Sequence, residues 1–358
     1  MRFLFPLYIC FWFSGFGQQI EHRLILFGDA GEMNKQQDNL ITEASKFALP
    51  GKTSVFFLGD NIYPSGMGIT DDEAQESSAI LRSQYTAFRQ VGLPVTFIAG
   101  NHDWDKSGPN GLEKLKLQAD FINGQHDAAL RFIPEAGIPG PYIESVSDKI
   151  TVILYDSEYW LFPYHDNLDS ALNGKVRVQF LDSIATGVGD TEDKTVLILS
   201  HHPMRSFGEH AVRFSWKDHI FPLTRKWKNF YLPLPVLGSV YPVLRSTVFK
   251  SPEDLSHPTY KNLIRDISTA VENHKNVIFV SGHDHGLQYI VDKNFRQIVS
   301  GSGSKTSFIH SGKTLKYKYN KQGFCILDCL DNASLNVSFY IFKDDKILKS
   351  FEDVIKHE

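Results

Sequence analysis

Cysteine is scarce in this 358-residue chain, which has three. Cys10 lies in an apolar N-terminal stretch, leaving Cys325 and Cys329 for the rest. Four residues of extended chain span about 13 Å, beyond the roughly 4.4 to 6.8 Å that a disulfide tolerates. Unless the chain turns between them, these two are small core residues. A disulfide scaffold and a zinc–thiolate site are both excluded. An excess of one charge is missing as well. The formal net charge of −4 gives no global attraction to nucleic acid or to an anionic membrane, so an anionic substrate must be attracted locally. There is no repeat at solenoid spacing and no low-complexity tract. The apolar stretch from Phe3 to Phe16 is shorter than the roughly 20 residues a membrane span requires. With Arg2 before it and Gly15 and Gly17 at the small-residue positions, residues 1–17 read as a cleaved secretory signal. The expectation is an exported protein whose remaining residues, 18–358, form a single catalytic domain.

What is present is ordinary globular material, 42% hydrophobic and 22% charged, enough for a sizeable core. β-branched and aromatic runs predict strands over 23–27, 54–58, 94–99, 150–155, 195–199, 276–280 and 287–291. Helical periodicity falls between several of them, over 34–47, 71–91, 112–122, 176–185 and 260–273. That alternation predicts an α/β fold with helices covering sheets whose strands are buried on both faces. Two later strands, near 324–327 and 335–342, have an antiparallel character. Residues 221–248 stand apart, with Pro222, Pro233, Pro235 and Pro242 among many aromatic and aliphatic residues. Prolines at that density forbid a regular helix or central strand. The segment reads as an apolar insertion, either a lid over a cleft or a patch making peripheral contact with a membrane or partner.

Five short segments carry the chemistry: Gly28-Asp29-Ala30-Gly31, Gly59-Asp60-Asn61-Ile62-Tyr63, Gly100-Asn101-His102-Asp103, Ser200-His201-His202-Pro203 and Gly282-His283-Asp284-His285. Each follows an apolar strand-like run and offers side chains that bind hard-to-borderline metal ions. Ligands at the C-terminal ends of strands in an α/β sheet converge on one crevice. The ordered set therefore predicts a binuclear metal centre at a sheet edge.

In that order the segments resemble the signature blocks of the calcineurin-like metallophosphoesterases, and specifically of the purple acid phosphatases. Gly31, where most members of the superfamily carry histidine, and Tyr63 are the deciding features. The resemblance covers about residues 23 to 305. It implies a four-layer α/β/β/α sandwich and a small phosphate-ester substrate. It implies that Asp29, Asp60, Tyr63 and His285 hold one metal and that Asp60, Asn101, His201 and His283 hold the other, with Asp60 bridging. A phenolate donor favours Fe(III) at the Tyr63 site, while the second set suits a divalent ion, Fe, Zn or Mn. In the family the histidine two residues before the proline is the ligand, which selects His201 and leaves His202 in the outer sphere near substrate. The implied activity is hydrolysis of phosphate monoesters by a metal-bound hydroxide, with His102 protonating the leaving oxygen and His202 helping to orient substrate. A phosphodiesterase or nucleotide hydrolase would use the same metals. A non-catalytic phosphate- or lipid-binding protein would be expected to lose some of the ligands, and none is missing.

Several nearby residues carry weaker expectations. Asp103 orients His102 or caps the following turn, and Asp284 points away from the metals. Arg205, His210 and Arg213 approach substrate or lie on a solvated surface. Gly301-Ser302-Gly303-Ser304 forms an anion nest or a tight connection between strands. The lysines and tyrosines of 313–321 are read as a lone strand with a solvated basic face, not as a nucleic-acid site.

Overall fold

The computed structural model describes residues 19–165, 170–191, 194–211, 220–221, 231–234, 251–344 and 346–358. The expected signal segment over 1–17, Cys10, Arg213 and most of the Pro-rich insertion lie outside the described residues.

Two seven-stranded sheets account for the strands. The first contains β1 (Ile20–Phe27), β2 (Thr53–Leu58), β3 (Val95–Ile98) and β4 (Leu130–Phe132), followed late in the chain by β12 (Gly323–Leu330), β13 (Leu335–Lys343) and β14 (Lys346–Ile355). The second contains β5 (Tyr142–Ser147), β6 (Ile150–Leu154), β7 (Thr195–Leu199), β8 (Val277–Ser281), β9 (Leu287–Asp292), β10 (Phe295–Ser300) and β11 (Leu315–Tyr319). Among the described residues the α-helices are α1 (Lys35–Ser45), α2 (Asp71–Gln90), α3 (Gly111–Asn123), α4 (Glu158–Leu161), α5 (Ser170–Gly189) and α6 (Pro258–Ala270).

The strand orders are β14-β13-β12-β1-β2-β3-β4 and β11-β9-β10-β8-β7-β6-β5. Strands β1 to β4 run parallel, as do β6, β7, β8 and β10. Parallel neighbours require crossovers, and the helices supply several of them. The late strands pair antiparallel, as their sequence suggested.

Side-chain alternation along the strands builds the layers. Leu24, Leu26, Phe56 and Leu58 of the first sheet share one buried cluster with Val152, Leu154, Leu197, Leu199, Ile278 and Val280 of the second, so the sheets pack face to face. The intervening residues Ile25, Phe27, Val55 and Phe57 belong to another cluster with Leu40, Ile41, Leu81 and Phe88 of α1 and α2. Ile153, Val196, Ile198 and Phe279 likewise join Phe180, Ile184, Leu263 and Ile267 of α5 and α6. The result is the expected α/β/β/α sandwich.

Cys325 and Cys329 are buried free thiols in β12. Strands β5 and β14 escaped the sequence reading because both are edge strands with largely exposed, polar faces. The expected lone basic strand is β11, and it is paired, with β9. Tyr317 stacks on Phe339 and Phe351 at centroid distances of 4.8 Å, so that ring packs inward.

Strands β1, β2 and β3 are held from the helix side by stacked aromatics. Phe57 lies 4.7 Å from Phe97 and 5.8 Å from Phe27, centroid to centroid, and is fully buried. Phe57→Ala is therefore expected to lower unfolding stability by about 3 to 5 kcal/mol, read as a shifted denaturation midpoint. A change under about 1 kcal/mol would show that this stack does not brace the strands.

Candidate metal centre

Because β1, β2 and β3 run parallel in one sheet and β7 and β8 in the other, their C-terminal ends deliver the five predicted segments to one edge of the sandwich. The sheets meet there at glycines. A Cβ on Gly28 would lie 2.9 Å from the Cα of Gly282, and one on Gly100 would lie 2.3 Å from the backbone nitrogen of Asp60. Gly31 has a local reason too, since a Cβ there would sit 2.5 Å from the backbone of Asn61 and Ile62. Its carbonyl accepts the Tyr63 N–H at 2.9 Å, which docks the tyrosine loop directly on the first segment. Asp29, Asp60 and His283 adopt φ values of 56°, 55° and 69°. A left-handed conformation is costly for non-glycine residues and persists where the surroundings enforce it.

The side chains form two linked groups. Tyr63 Oη lies 3.0 Å from Asp29 Oδ1, 3.0 Å from Asp60 Oδ2 and 3.2 Å from His285 Nε2. These four side chains thus turn their polar atoms toward one point. In the second group, Asn101 Oδ1 lies 3.0 Å from His201 Nε2 and 3.2 Å from His283 Nδ1, while the two ring nitrogens are 3.2 Å apart. Asp60 Oδ1 is 3.3 Å from His201 Nε2, so this carboxylate joins the groups.

The outer hydrogen bonds decide which atoms carry protons. His201 Nδ1 donates to the Leu58 carbonyl at 2.8 Å, and His283 Nε2 donates to the Glu253 carbonyl at 3.0 Å. The facing nitrogens, His201 Nε2 and His283 Nδ1, are thereby left as lone pairs. Asn101 Nδ2 donates to Glu253 Oε1 at 3.0 Å, which turns its oxygen toward them. Lone pairs crowded at about 3 Å with no proton between them repel one another. The same spacing suits donors each about 2.1 Å from a shared first-row ion and at right angles to one another. Both groups thus fit metal ions, with Asp60 contributing one oxygen to each.

Burial shapes the titration of the same atoms. It pushes His283 and His202 well below the usual histidine range and holds His285 at about 3, so these rings are neutral. Burial also opposes ionisation of Asp60, while contact with His201 and with His102, whose N–H it accepts, favours the carboxylate and leaves it at about 2. Burial and the neighbouring Asp29 and Asp60 carboxylates push Tyr63 well above the usual phenol range. Its ionisation therefore requires a cation.

The remaining predicted residues fall around this cluster. His102 Nδ1 bonds to the Pro64 carbonyl, which leaves Nε2 facing the centre, 3.9 Å from Asp60 Oδ2. Asp103 does not orient it. Instead Asp103 accepts from Gly100 N at 2.8 Å and from Asn61 N at 3.0 Å, tying the second segment to the third. His202 lies beside the second group. It is buried, with Nδ1 2.9 Å from Ser157 Oγ and its ring 4.3 Å from that of His283. One of its nitrogens lies within 4.8 Å of nitrogens of His201 and His283. Only His201, though, meets both Asn101 and Asp60.

Asp284 accepts from His210 N at 3.0 Å and so holds the loop. Arg205 pairs with Asp292 at the surface. His210 stacks on His283 at 4.0 Å, a packing partner of the expected ligand. The Gly301 to Ser304 run is neither a nest nor a tight strand connection. Its Gly303 and Ser304 N–H groups donate to the carbonyls of Gly28 and Asp29, bracing the first segment.

Glu253, Ser157 and Glu158 were missed. Glu158 could have been found, because Asp156-Ser157-Glu158 follows β6 just as the five segments follow their strands. Its Oε1 lies 2.6 Å from Ser107 Oγ, and its Oε2 is 3.7 Å from His202 Nε2. Glu253 carries no sequence signal, since it lies in a loop far from any strand end.

A family model described as calcineurin-like phosphoesterase matches residues 22–287. Purple acid phosphatase 4 of Arabidopsis thaliana is 22% identical over 304 residues, which is 80% of this chain and 69% of that protein. Among solved structures, Plasmodium GAP50, described as the anchor in the inner membrane complex, aligns with a TM-score of 0.58 at 16% identity, covering 95% of this chain and 90% of its own. Purple acid phosphatase PPD1 from yellow lupin seeds aligns with a TM-score of 0.52 at 14% identity, covering 94% and 53%. At those identities the structural likeness shows the fold.

Gly31→Ala should displace the Tyr63 loop, because its methyl group would overlap peptide backbone and not a flexible side chain. The expected outcome is a folded protein by circular dichroism that retains substantially less metal by elemental analysis. Wild-type metal content in this variant would show that Gly31 does not set the position of Tyr63.

Proposed function

The chain belongs to the calcineurin-like phosphoesterase family, and from that premise we propose that it hydrolyses phosphate monoesters at a binuclear centre held by Asp29, Asp60, Tyr63, Asn101, His201, His283 and His285. The observation that carries the proposal is the pair of converging donor groups joined through Asp60. The likeness to purple acid phosphatase 4 supports the monoesterase type. Of the two donor groups, the one with a phenol suits Fe(III) and the one with an amide oxygen and two imidazoles suits a divalent ion. When bound, such ions supply Lewis acidity and acidify water.

The chain's own residues do the rest. Asp60, held at the junction by the His102 N–H at 2.9 Å, fixes the separation of the two donor groups. Leu58, through its carbonyl, and Glu253 keep the imidazole and amide lone pairs aimed inward. His102 is the proton donor for the departing oxygen. Its Nδ1 is committed to Pro64, so the proton that moves is the one on Nε2, the atom facing the centre. His202, buried with its Nδ1 beside Ser157 Oγ, packs against the ring of His283.

The likeness to a membrane-complex anchor raises a scaffold as the alternative. A scaffold has no use for a full set of inward-facing lone pairs, which are costly to bury unfilled.

Purified, metal-reconstituted protein assayed on monoesters and diesters is expected to release inorganic phosphate from the monoesters and to lose activity in chelator. Hydrolysis of diesters alone would overturn the monoesterase reading. His102→Ala should lower kcat by about 10²- to 10⁴-fold on alkyl phosphates and far less on 4-nitrophenyl phosphate, whose leaving group needs no proton. Equal losses on both would remove His102 from the acid role. Tyr63→Phe should abolish a visible charge-transfer band, and a band that persists would overturn the Fe(III) assignment.

A further inference from the structure

A trough of about 410 Å³ opens beside the ring of Tyr63. Met33, Pro64, Ala79 and Ile80 give it apolar sides, and Glu32, Glu76 and Lys305 add charge. We propose that this trough is the subsite for the alcohol half of the ester, and that it takes an uncharged aryl or alkyl group. The inference rests on the hydrolase reading above and names the substrate class for that site.

Position is the first argument. Tyr63 belongs to both features, its hydroxyl among the metal-facing donors and its ring lining the trough. On the inner side, Asn101, His201 and His283 are each at most 2% exposed. The His102 and His285 side chains retain 17% and 24% exposure. The less buried side of the donor cluster is thus the side that carries Tyr63, His102 and His285. The expected proton donor stands on that side as well. The His102 ring is 4.5 Å from that of Tyr63, and Pro64, whose carbonyl fixes His102, also lines the trough. The leaving oxygen and the group attached to it would therefore face the same wall.

Chemistry is the second argument. Met33 is 56% exposed, a large fraction for an apolar side chain, and methionine adapts its shape to what it meets. Covering it and Ile80 with an apolar group removes hydrocarbon from water on both partners. The charges argue against a second anion. Lys305 pairs with Glu32 and lies 4.7 Å over the Tyr63 ring, so its charge is already engaged. Glu76 then leaves the trough with an excess of negative charge, which repels an additional phosphate or carboxylate on the substrate.

The test uses metal-reconstituted full-length protein and two non-hydrolysable probes, phenylphosphonate and methylphosphonate, with binding measured by calorimetry. Wild-type protein is expected to bind phenylphosphonate at least about tenfold more tightly, about 1.4 kcal/mol, and to bind its 4-carboxy derivative less tightly than the parent. In Met33→Asp and in Ile80→Asp, each checked for wild-type metal content, the phenyl-to-methyl ratio should fall toward one. Equal affinities for the two probes in the wild type, or a preference that survives both substitutions, would overturn the subsite. A carboxy derivative that binds as well as the parent would overturn its selection against a second anion. Wild-type protein that prefers the phenyl probe but releases no phosphate from any ester would support the subsite and overturn the hydrolase reading instead.

Discussion

The constraint on which the structure depends is a crowd of buried donor atoms gathered at one point. Asp60 carries one oxygen into each of two donor groups. Around it, the neutral nitrogens of His201, His283 and His285, the amide oxygen of Asn101, a carboxylate oxygen of Asp29 and the hydroxyl of Tyr63 all converge. Such an arrangement is unfavourable in a buried, weakly polarisable setting unless positive charge compensates it. The surroundings must hold it against that repulsion, and the left-handed backbone at Asp29, Asp60 and His283 shows how firmly they do. Strand ends buried on both faces, glycines where the sheets touch and carbonyls that take the outward imidazole protons all serve this one requirement.

Most of the layout was legible in the sequence because it rests on short-range rules. Buried parallel strands announce themselves as apolar β-branched runs, as in β6, β7 and β8. Polar residues placed just past those runs must gather at one edge. Strands β5 and β14 were not legible, because at an edge the alternation of burial weakens and the pattern blurs into loop. The orientation of His202 was not legible for a related reason: its spacing from Pro203 separates it from His201 but does not say which way its ring turns, toward Ser157. Glu253 was invisible because its role depends on a long-range return of the chain beside Asn101 and His283, which no local pattern encodes. Gly31 was noticed as a family signature, and the structure supplies its physical cause, contact with the backbone of Asn61 and Ile62.

The outer hydrogen bonds divide the labour unevenly between the two donor groups. His201 and His283 are each fixed by a backbone carbonyl, and Asn101 is fixed by a carboxylate. The group around Tyr63 instead relies on the packing of loops, through Gly31, Asp103 and the braces from Gly303 and Ser304. Asp29 of that group also accepts the His283 N–H at 2.8 Å, so the phenol-containing group combines loop fit with one fixed carboxyl. Substitutions that loosen loop packing will act on the phenol-containing group first.

Glu253 contributes its side chain to Asn101 and its carbonyl to His283, so a single residue lies behind the inner donors. A shift of the loop that carries Glu253 would therefore turn the Asn101 amide and the His283 imidazole together, so the two side chains are oriented as one unit.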